Sequence, residues 1–526
     1  MIKYFEGRLE MNQLKVGAIL SYLSIFVSMI ISFLYTPVML RLLGQQEFGL
    51  YSLIGSIVSY LSILDMGLGN AVVKYSSQNR ALNNKDAQAK LNGMFLIIYT
   101  LIGLITLIIG YILYCNINTM FDNTLSQAEL DKAKIMMLLL VFNFSISFPL
   151  GVFGSILQAY EKFVFLRVTT IIRTIVNPLL VLPLLFWGYG SVSIVVVNTI
   201  LNIAFLIINI YFCFKKIEMR FNFRKFNFKL FKEISSYSFF IFLSVIVDRV
   251  YWSTGQLILG TVSGTLVVAI YAIAMQLTNM YMMLSTSVGG MLLPKISMMV
   301  VEEAKEKEYS NLMIKVGRLQ FVLMGYILTG IVLFGKPFLN IWAGPDYTSA
   351  YYFLLIILIP LTIPLIQNVG LSILQAKSLH GFRSVVLLAV SIFNVSISIP
   401  LAKYYGGYGC AVATGISLIV GNVLIMNVYY QRKVKIDIPR FWRNIGSMSI
   451  PMLISLVCGT VVNYFVNGSS FITYIFNALI YSLIYFCCMW YIGLNEYEKN
   501  VFLSPIQRVY KIISRKKNLE GTIIHK

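Results

Sequence analysis

Acidic residues are scarce in this chain. Of its 526 residues, 21 are Asp or Glu against 42 Lys or Arg, and two are histidines, His380 and His525. Charged residues make up 12% of the total, about half the ~25% usual for soluble globular domains. That shortage excludes a soluble globular protein. The six cysteines (Cys115, Cys213, Cys410, Cys458, Cys487 and Cys488) are scattered, mostly in apolar runs, and no CxxC spacing exists. With only two histidines, a metal centre or a thiol catalyst is not expected. No GxxxxGK[ST] motif is present, so the chain does not drive itself with ATP. No paired carboxylates stand out, and the longest loops run to about 20 residues, which argues against a membrane glycosyltransferase or polymerase. The first apolar run, 16–40, is too long for a signal-peptide core and lacks a small-residue cleavage site. No cofactor is implied.

What is abundant is apolar surface, at 58% of residues. Hydropathy predicts an all-α polytopic membrane protein with about fourteen spans: 16–40, 48–73, 91–114, 135–158, 168–187, 191–213, 234–260, 266–290, 316–335, 350–375, 384–402, 408–429, 445–466 and 471–492. The connections alternate in charge. One side, with both termini and the loops near 74–90, 159–167, 214–233, 291–318, 376–383 and 430–443, carries 35 of the 42 Lys and Arg. The other side carries five: Arg41, Lys132, Lys134, Lys336 and Lys403. The positive-inside rule places both termini in the cytoplasm. The basic excess is then a topology signal plus attraction to anionic lipids, and nucleic acid is not an expected partner.

An internal repeat sets the domain plan. Ser155-Ile156-Leu157-Gln158-Ala159 recurs as Ser372-Ile373-Leu374-Gln375-Ala376, an offset of 217 that also carries Asn177 onto Asn394 and Pro183 onto Pro400. Leu43-Gly44 matches Leu259-Gly260, and Leu50-Tyr51 matches Ile270-Tyr271 after a four-residue insertion. The offset spans six helices, an even number, so the copies are parallel. The expected parts are an N-lobe (12–213), a basic cytoplasmic linker (214–233), a C-lobe (234–429), two extra helices (445–492) and a basic cytoplasmic tail (493–526). Linker and tail are amphipathic, and lying on the membrane is their plain reading.

Charges found in one copy only are the better site candidates. Asp248 and Arg249 lie about 14 residues into span 234–260. That is ~21 Å along the axis at ~1.5 Å per residue, inside a ~30 Å hydrocarbon core. Charges there are expensive and mark function by default, a structural ion pair being the alternative. They align with Ser32 and Phe33, Arg173 aligns with Val390, and Asp65 with Ser285. Arg173, near a cytoplasmic span end, either snorkels or lines a cavity. Asp65, in Leu64-Asp65-Met66-Gly67-Leu68-Gly69, either binds an ion or stabilises a turn. Arg41 and Glu47 bracket the first outer loop and are expected to pair. Tyr251, Trp252, Tyr271 and Tyr281 suit packing or anchoring first, and stacking on sugar second.

These residues resemble a family. Pro37-Val38-Met39-Leu40-Arg41-Leu42-Leu43-Gly44, Glu47-Phe48-Gly49-Leu50-Tyr51 and Leu64-Asp65-Met66-Gly67-Leu68 resemble the opening of the Wzx-type polysaccharide flippases of the multidrug/oligosaccharidyl-lipid/polysaccharide exporter superfamily. Phe334-Gly335-Lys336-Pro337-Phe338 and Ile341-Trp342-Ala343-Gly344-Pro345-Asp346-Tyr347 are similar to its segment around the ninth and tenth spans. The resemblance implies a transporter, not an enzyme, in the bacterial inner (plasma) membrane. Its substrate would be an undecaprenyl-pyrophosphate-linked oligosaccharide repeat unit of O-antigen or capsule, moved to the outer leaflet by alternating access of two lobes. A polysaccharide polymerase and chain-length proteins are the implied partners. Arginine suits phosphate oxygens, so Arg249 and Arg173 are the expected substrate contacts. Asp248 and Asp65 are the candidates for coupling to an ion. A cation-coupled multidrug exporter and a peptidoglycan-precursor flippase of the same superfamily are the alternatives.

Overall fold

The structure is a computed structural model that describes residues 2–223, 228–377, 379–466 and 471–504. Among the described residues every regular element is helical. α1 (Ile2–Ser59) runs into a 3-10 turn (Tyr60–Asp65), α2 (Leu68–Ala81), α3 (Lys85–Phe121), α4 (Gln127–Ala159), α5 (Phe163–Phe186) and α6 (Ser191–Lys216). Then follow α7 (Phe228–Val262), α8 (Gly264–Val301), α9 (Glu306–Trp342), α10 (Ala350–Ile366), α11 (Asn368–Ala376) and α12 (His380–Leu418). π-helical turns around α13 (Met426–Tyr429) lead to α14 (Ile438–Phe465) and α15 (Phe471–Cys488). Eleven helical stretches among the described residues are long and apolar enough to cross a membrane. This confirms a polytopic helical membrane protein without reaching the expected fourteen as a count. Two of the eleven, Ile19–Ala81 and 381–434, have 63 and 54 residues, about twice the ~20–25 that one crossing needs.

Both long stretches break at a glycine. α1 turns at Gly44 (φ 76°) and α12 at Gly406 (φ 54°). A left-handed φ is open to glycine at little cost, so the expected outer loop 41–47 reduces to a corner with helix on both sides. The matching corner of the second copy is Gly264 (φ 78°). Gly260, its match by sequence, lies inside α7, so the four-residue insertion precedes the corner.

The chain divides into two compact units, 1–280 with 339–357 and 381–421, and 281–338 with 358–380 and 422–526. In the first unit, α3 lies against α4 where side chains are small. A Cβ on Gly103 would lie 2.7 Å from the Ser145 carbonyl oxygen, while the Ser145 hydroxyl donates to the Gly103 carbonyl at 2.8 Å. Close approach at small residues replaces the hydrophobic drive that lipid does not supply. The opposite face of α3 exposes Leu101, Ile105, Ile108 and Ile112, a stripe at helical spacing suited to lipid. The buried side joins Phe95, Tyr99, Phe153, Ile156 and Cys213 in one core.

Helix ends at one face of this unit are tied by polar contacts. Arg41 and Glu47 do not pair as expected. Glu47 pairs with Lys132 and accepts from the Ser191 hydroxyl at 2.5 Å and its backbone N–H at 3.2 Å, at the start of α6. Arg41 donates to the Ile341 carbonyl at 3.0 Å. Glu129 forms a capping box with Ser126 and accepts from Thr265 at 2.8 Å. A Cβ on Gly49 would meet the Thr265 carbonyl oxygen at 2.0 Å.

The linker is not simply laid on the surface. The Asn222 backbone N–H donates to the Ala89 carbonyl at 2.9 Å, and the Phe221 ring packs on Phe153, Phe214 and Phe223. Residues 224–227 lie outside the described part.

In the second unit, Tyr481 and Tyr485 of α15 are buried against Tyr326 of α9, and Tyr485 donates to the Val322 carbonyl at 2.9 Å. The tail expected from residue 493 starts as part of this core. Arg318 donates from Nε to Glu498 Oε1 at 2.5 Å and from NH2 to Oε2 at 2.9 Å, with further bonds to the carbonyls of Gly493 (2.7 Å) and Asn444 (3.1 Å). Both side chains are buried, at 6% and 1% exposure. Residues 505–526, most of the expected amphipathic tail, lie outside the described part.

Candidate functional site

α7 carries Asp248 and Arg249 on successive positions. Neighbours on a helix project about 100° apart at 3.6 residues per turn, so the two side chains diverge. Asp248 is exposed and Arg249 half-buried. The charges acting on the Asp248 carboxylate are Arg383 first and Arg249 second. Arg383 is half-buried in the first turn of α12, whereas hydropathy places it in the loop 376–383. Among the described residues, none of the three has a hydrogen bond or an ion pair within 4 Å. One carboxylate and two guanidinium groups therefore act on one another with a net positive charge, and the guanidinium donors are uncommitted. Two planar forks of N–H donors suit the oxygens of a phosphate or pyrophosphate.

Neighbouring elements hold α7 in place through polar side chains. Ser59 donates to the Ser253 hydroxyl at 3.2 Å, Tyr60 bonds Thr254, and Tyr251 donates to the Thr414 carbonyl at 3.0 Å. A Cβ on Gly67 would run into Ile241 of α7, so the turn before α2 lies directly on this helix. Asp65 organises that turn. It accepts from the Tyr99 hydroxyl at 2.9 Å and from the backbone N–H groups of Gly67 and Gly69, the turn-stabilising arrangement that was its alternative reading.

Arg173 lies elsewhere. It is half-buried on α5 and lines a cleft of about 220 Å³ with Arg167, Gln158, Thr170, Phe205 and Asn209. Like Arg249, it has no hydrogen-bond or ion-pair partner among the described residues. Arg167, one and two-thirds turns earlier on the helix by the 3.6-residue period, makes this a second two-arginine site. Tyr251, Tyr271 and Tyr281 are buried at 8%, 2% and 3% exposure, with Tyr281 bonded to Met324 and Thr362. They pack, as first expected. The second unit holds an apolar cavity of about 920 Å³, lined by Leu292, Leu319, Leu323, Phe486 and Phe502 with Lys295 and Lys315. That lining suits hydrocarbon. No cluster of metal-ligating side chains occurs among the described residues.

Residues 14–300, which include α7, Asp65 and Arg173, match the family described as polysaccharide biosynthesis protein. The chain belongs to that family. The resemblance of its opening motifs to the Wzx-type flippases is thereby borne out. Across 398 residues it is 20% identical to a putative O-antigen transporter of Shigella flexneri, covering 74% of this chain and 91% of that one. It is 21% identical over 416 residues to the uncharacterized membrane protein EpsK of Bacillus subtilis (strain 168), covering 77% and 81%. Its fold is similar to the lipid II flippase MurJ in an inward closed conformation, with TM-score 0.70, 16% identity and coverage of 93% and 99%. It is also similar to an inward-facing multidrug resistance transporter of the MATE family, with TM-score 0.59, 14% identity and coverage of 78% and 94%. These two likenesses show the fold. Arg383 lies beyond the matched range, so the Asp248 cluster combines a family segment with a later helix.

Proposed function

We propose that this chain is a transporter that carries an undecaprenyl-pyrophosphate-linked oligosaccharide repeat unit from the inner to the outer leaflet of the plasma membrane, for surface polysaccharide synthesis. The observation that carries the reading is the cluster of Asp248, Arg249 and Arg383, an uncommitted cationic site on helices of a membrane protein. A substrate of net negative charge fits it; the cationic drugs of a multidrug exporter do not. Arg249 and Arg383 take the pyrophosphate, and Arg173 with Arg167 offers a first contact at the cytoplasmic side. The lipid tail stays in hydrocarbon. The two six-helix lobes, 12–213 and 234–429, alternate their access around the site.

Asp248 is the proposed coupling carboxylate, with Asp65 second. A proton on Asp248 removes the only negative charge from the cluster and leaves both arginines to the substrate. Proton and anionic substrate are then linked at one site, so that the charge state of Asp248 sets the affinity for the substrate.

The test is deletion in the native host, followed by assay of surface glycan and of the lipid-linked repeat unit inside the cell. Loss of surface glycan with accumulation of the lipid-linked unit supports the reading. Intact surface glycan with lowered drug tolerance overturns it in favour of the exporter.

A further inference from the structure

A second polar cleft lies at the cytoplasmic end of the first unit, away from the charges on α7. It has a volume of about 280 Å³ and is formed where the N-terminus of α3 meets the segment after α6. That is just under the ~300–1,000 Å³ range of small-molecule sites, so its ligand is small. The segment after α6 is fastened there. Asn92 donates to the Arg220 carbonyl at 3.1 Å, and a Cβ on Gly93 would meet the Asn222 carbonyl oxygen at 2.5 Å. Glu218 has a left-handed backbone (φ 52°), a strained conformation for a residue with a side chain.

The lining is built for a polar anion. Lys85 and Arg220 are exposed and have no ion-pair partner among the described residues. Arg80 is already engaged with the Ala159 carbonyl (3.3 Å) and Glu161 (3.8 Å). Glu218 is the one carboxylate of the lining. The cleft also receives the start of α3, whose helix dipole favours negative charge. The independent observation is Gln88. It is 7% exposed, and its Nε2 donates to Ser76 at 3.1 Å and to Asn92 at 2.8 Å. Its Oε1 is buried without any partner. An orphaned buried acceptor costs about 1–3 kcal/mol, and a ligand hydroxyl would satisfy it.

We infer that this cleft binds a small phosphorylated, hydroxyl-bearing solute of the cytoplasm, a sugar phosphate by chemical class. Its phosphate sits on Lys85, Arg220 and the α3 N-terminus, and a hydroxyl donates to Gln88 Oε1. Because the segment it grips leads into α7, occupancy reports the cytoplasmic supply of sugar phosphate to the helix that carries Asp248 and Arg249. The site does not depend on which lipid-linked substrate is carried.

The test is titration of the purified full-length chain in neutral-lipid nanodiscs with glucose 1-phosphate, inorganic phosphate and free glucose, read by calorimetry. Glucose 1-phosphate is expected to bind saturably, at least tenfold tighter than either fragment. The double variant Lys85→Ala with Arg220→Ala, both exposed positions, should lose at least tenfold in affinity at unchanged melting temperature. Gln88→Met should reduce the preference for glucose 1-phosphate over inorganic phosphate. Three results overturn the inference: no saturable binding, equal binding by the double variant, or displacement of the sugar phosphate when anionic phospholipid is added to the nanodisc. The last would assign the cleft to a lipid headgroup.

Discussion

Arg383 of α12 and Arg249 of α7 are the two cations that act on Asp248, although only Arg249 is its neighbour in the chain. The helix period turns Arg249 away, and the return of α12 brings Arg383 in. An acid and a base adjacent in sequence are therefore not a self-contained pair. They are parts of a three-residue charge cluster that exists only once the helices have packed.

Replacing Arg383 should consequently cost as much as replacing Arg249. A charge-assisted hydrogen bond contributes about 1.5–3 kcal/mol, so Arg383→Ala is expected to weaken binding of a pyrophosphate lipid by roughly 10- to 100-fold. Arg383→Lys keeps the charge but loses the planar fork and should recover only part. Binding of an undecaprenyl-pyrophosphate lipid to the purified protein measures this. Unchanged affinity in Arg383→Ala would remove it from the site.

Asp248→Asn separates binding from coupling. Deleting one negative charge beside an anionic ligand is worth on the order of 1–2 kcal/mol at an effective dielectric of ~20. Binding of the pyrophosphate lipid should therefore tighten about tenfold, while turnover loses its response to the proton gradient. If the variant transports at the normal rate and still responds to collapse of the gradient, Asp248 is not the coupling group.

The Arg318–Glu498 pair predicts a stability effect. Breaking a buried ion pair on one side costs about 3–5 kcal/mol, because the partner stays buried and charged. Arg318→Ala and Glu498→Ala should each lower the melting temperature in detergent markedly, and Glu498→Gln less. Arg318→Met combined with Glu498→Leu should lose less than either alanine variant. A melting temperature unmoved by Glu498→Ala would mean that the C-terminal segment is not held as described.

Two glycines of the same helical stretch should respond oppositely to alanine. At Gly49 the new Cβ would meet the Thr265 carbonyl oxygen at 2.0 Å, whereas at Gly55 nothing lies within 4 Å. Gly49→Ala should destabilise by about 1–3 kcal/mol or more through overpacking. Gly55→Ala should be neutral or stabilise by up to ~1 kcal/mol through helix propensity. Thermal melts of the two variants side by side give the comparison.

The parts of this molecule legible in sequence are those that local rules govern. Long apolar runs announce helices in lipid, whereas the corners at Gly44 and Gly406 appear only in the structure, where glycine admits a left-handed φ. The Leu64-Asp65-Met66-Gly67 stretch carried its turn on its face, and Asp65 sits where such a carboxylate finds Gly67 and Gly69. What was not legible depends on distant packing. Arg383 reads as one more cytoplasmic cation until α12 lies near α7. Glu498 reads as part of an amphipathic tail lying on the membrane until Arg318 of α9 meets it. Glu47 was paired with Arg41 because both lie in one short segment, yet its partners Lys132 and Ser191 come from helices that start at the same membrane face. Phe221 read as a membrane-lying aromatic, and the site it fills is the core under Phe153.

The most direct test restores the deleted host with the intact chain or with Arg249→Ala combined with Arg383→Ala, at matched membrane levels, and quantifies the lipid-linked repeat unit left inside the cell. The cluster predicts that the intact chain clears it, while the double variant leaves it accumulated as in the deletion, without surface glycan. Clearance by the double variant equal to that of the intact chain would contradict the site, and Arg249 and Arg383 would then be structural counter-charges to Asp248.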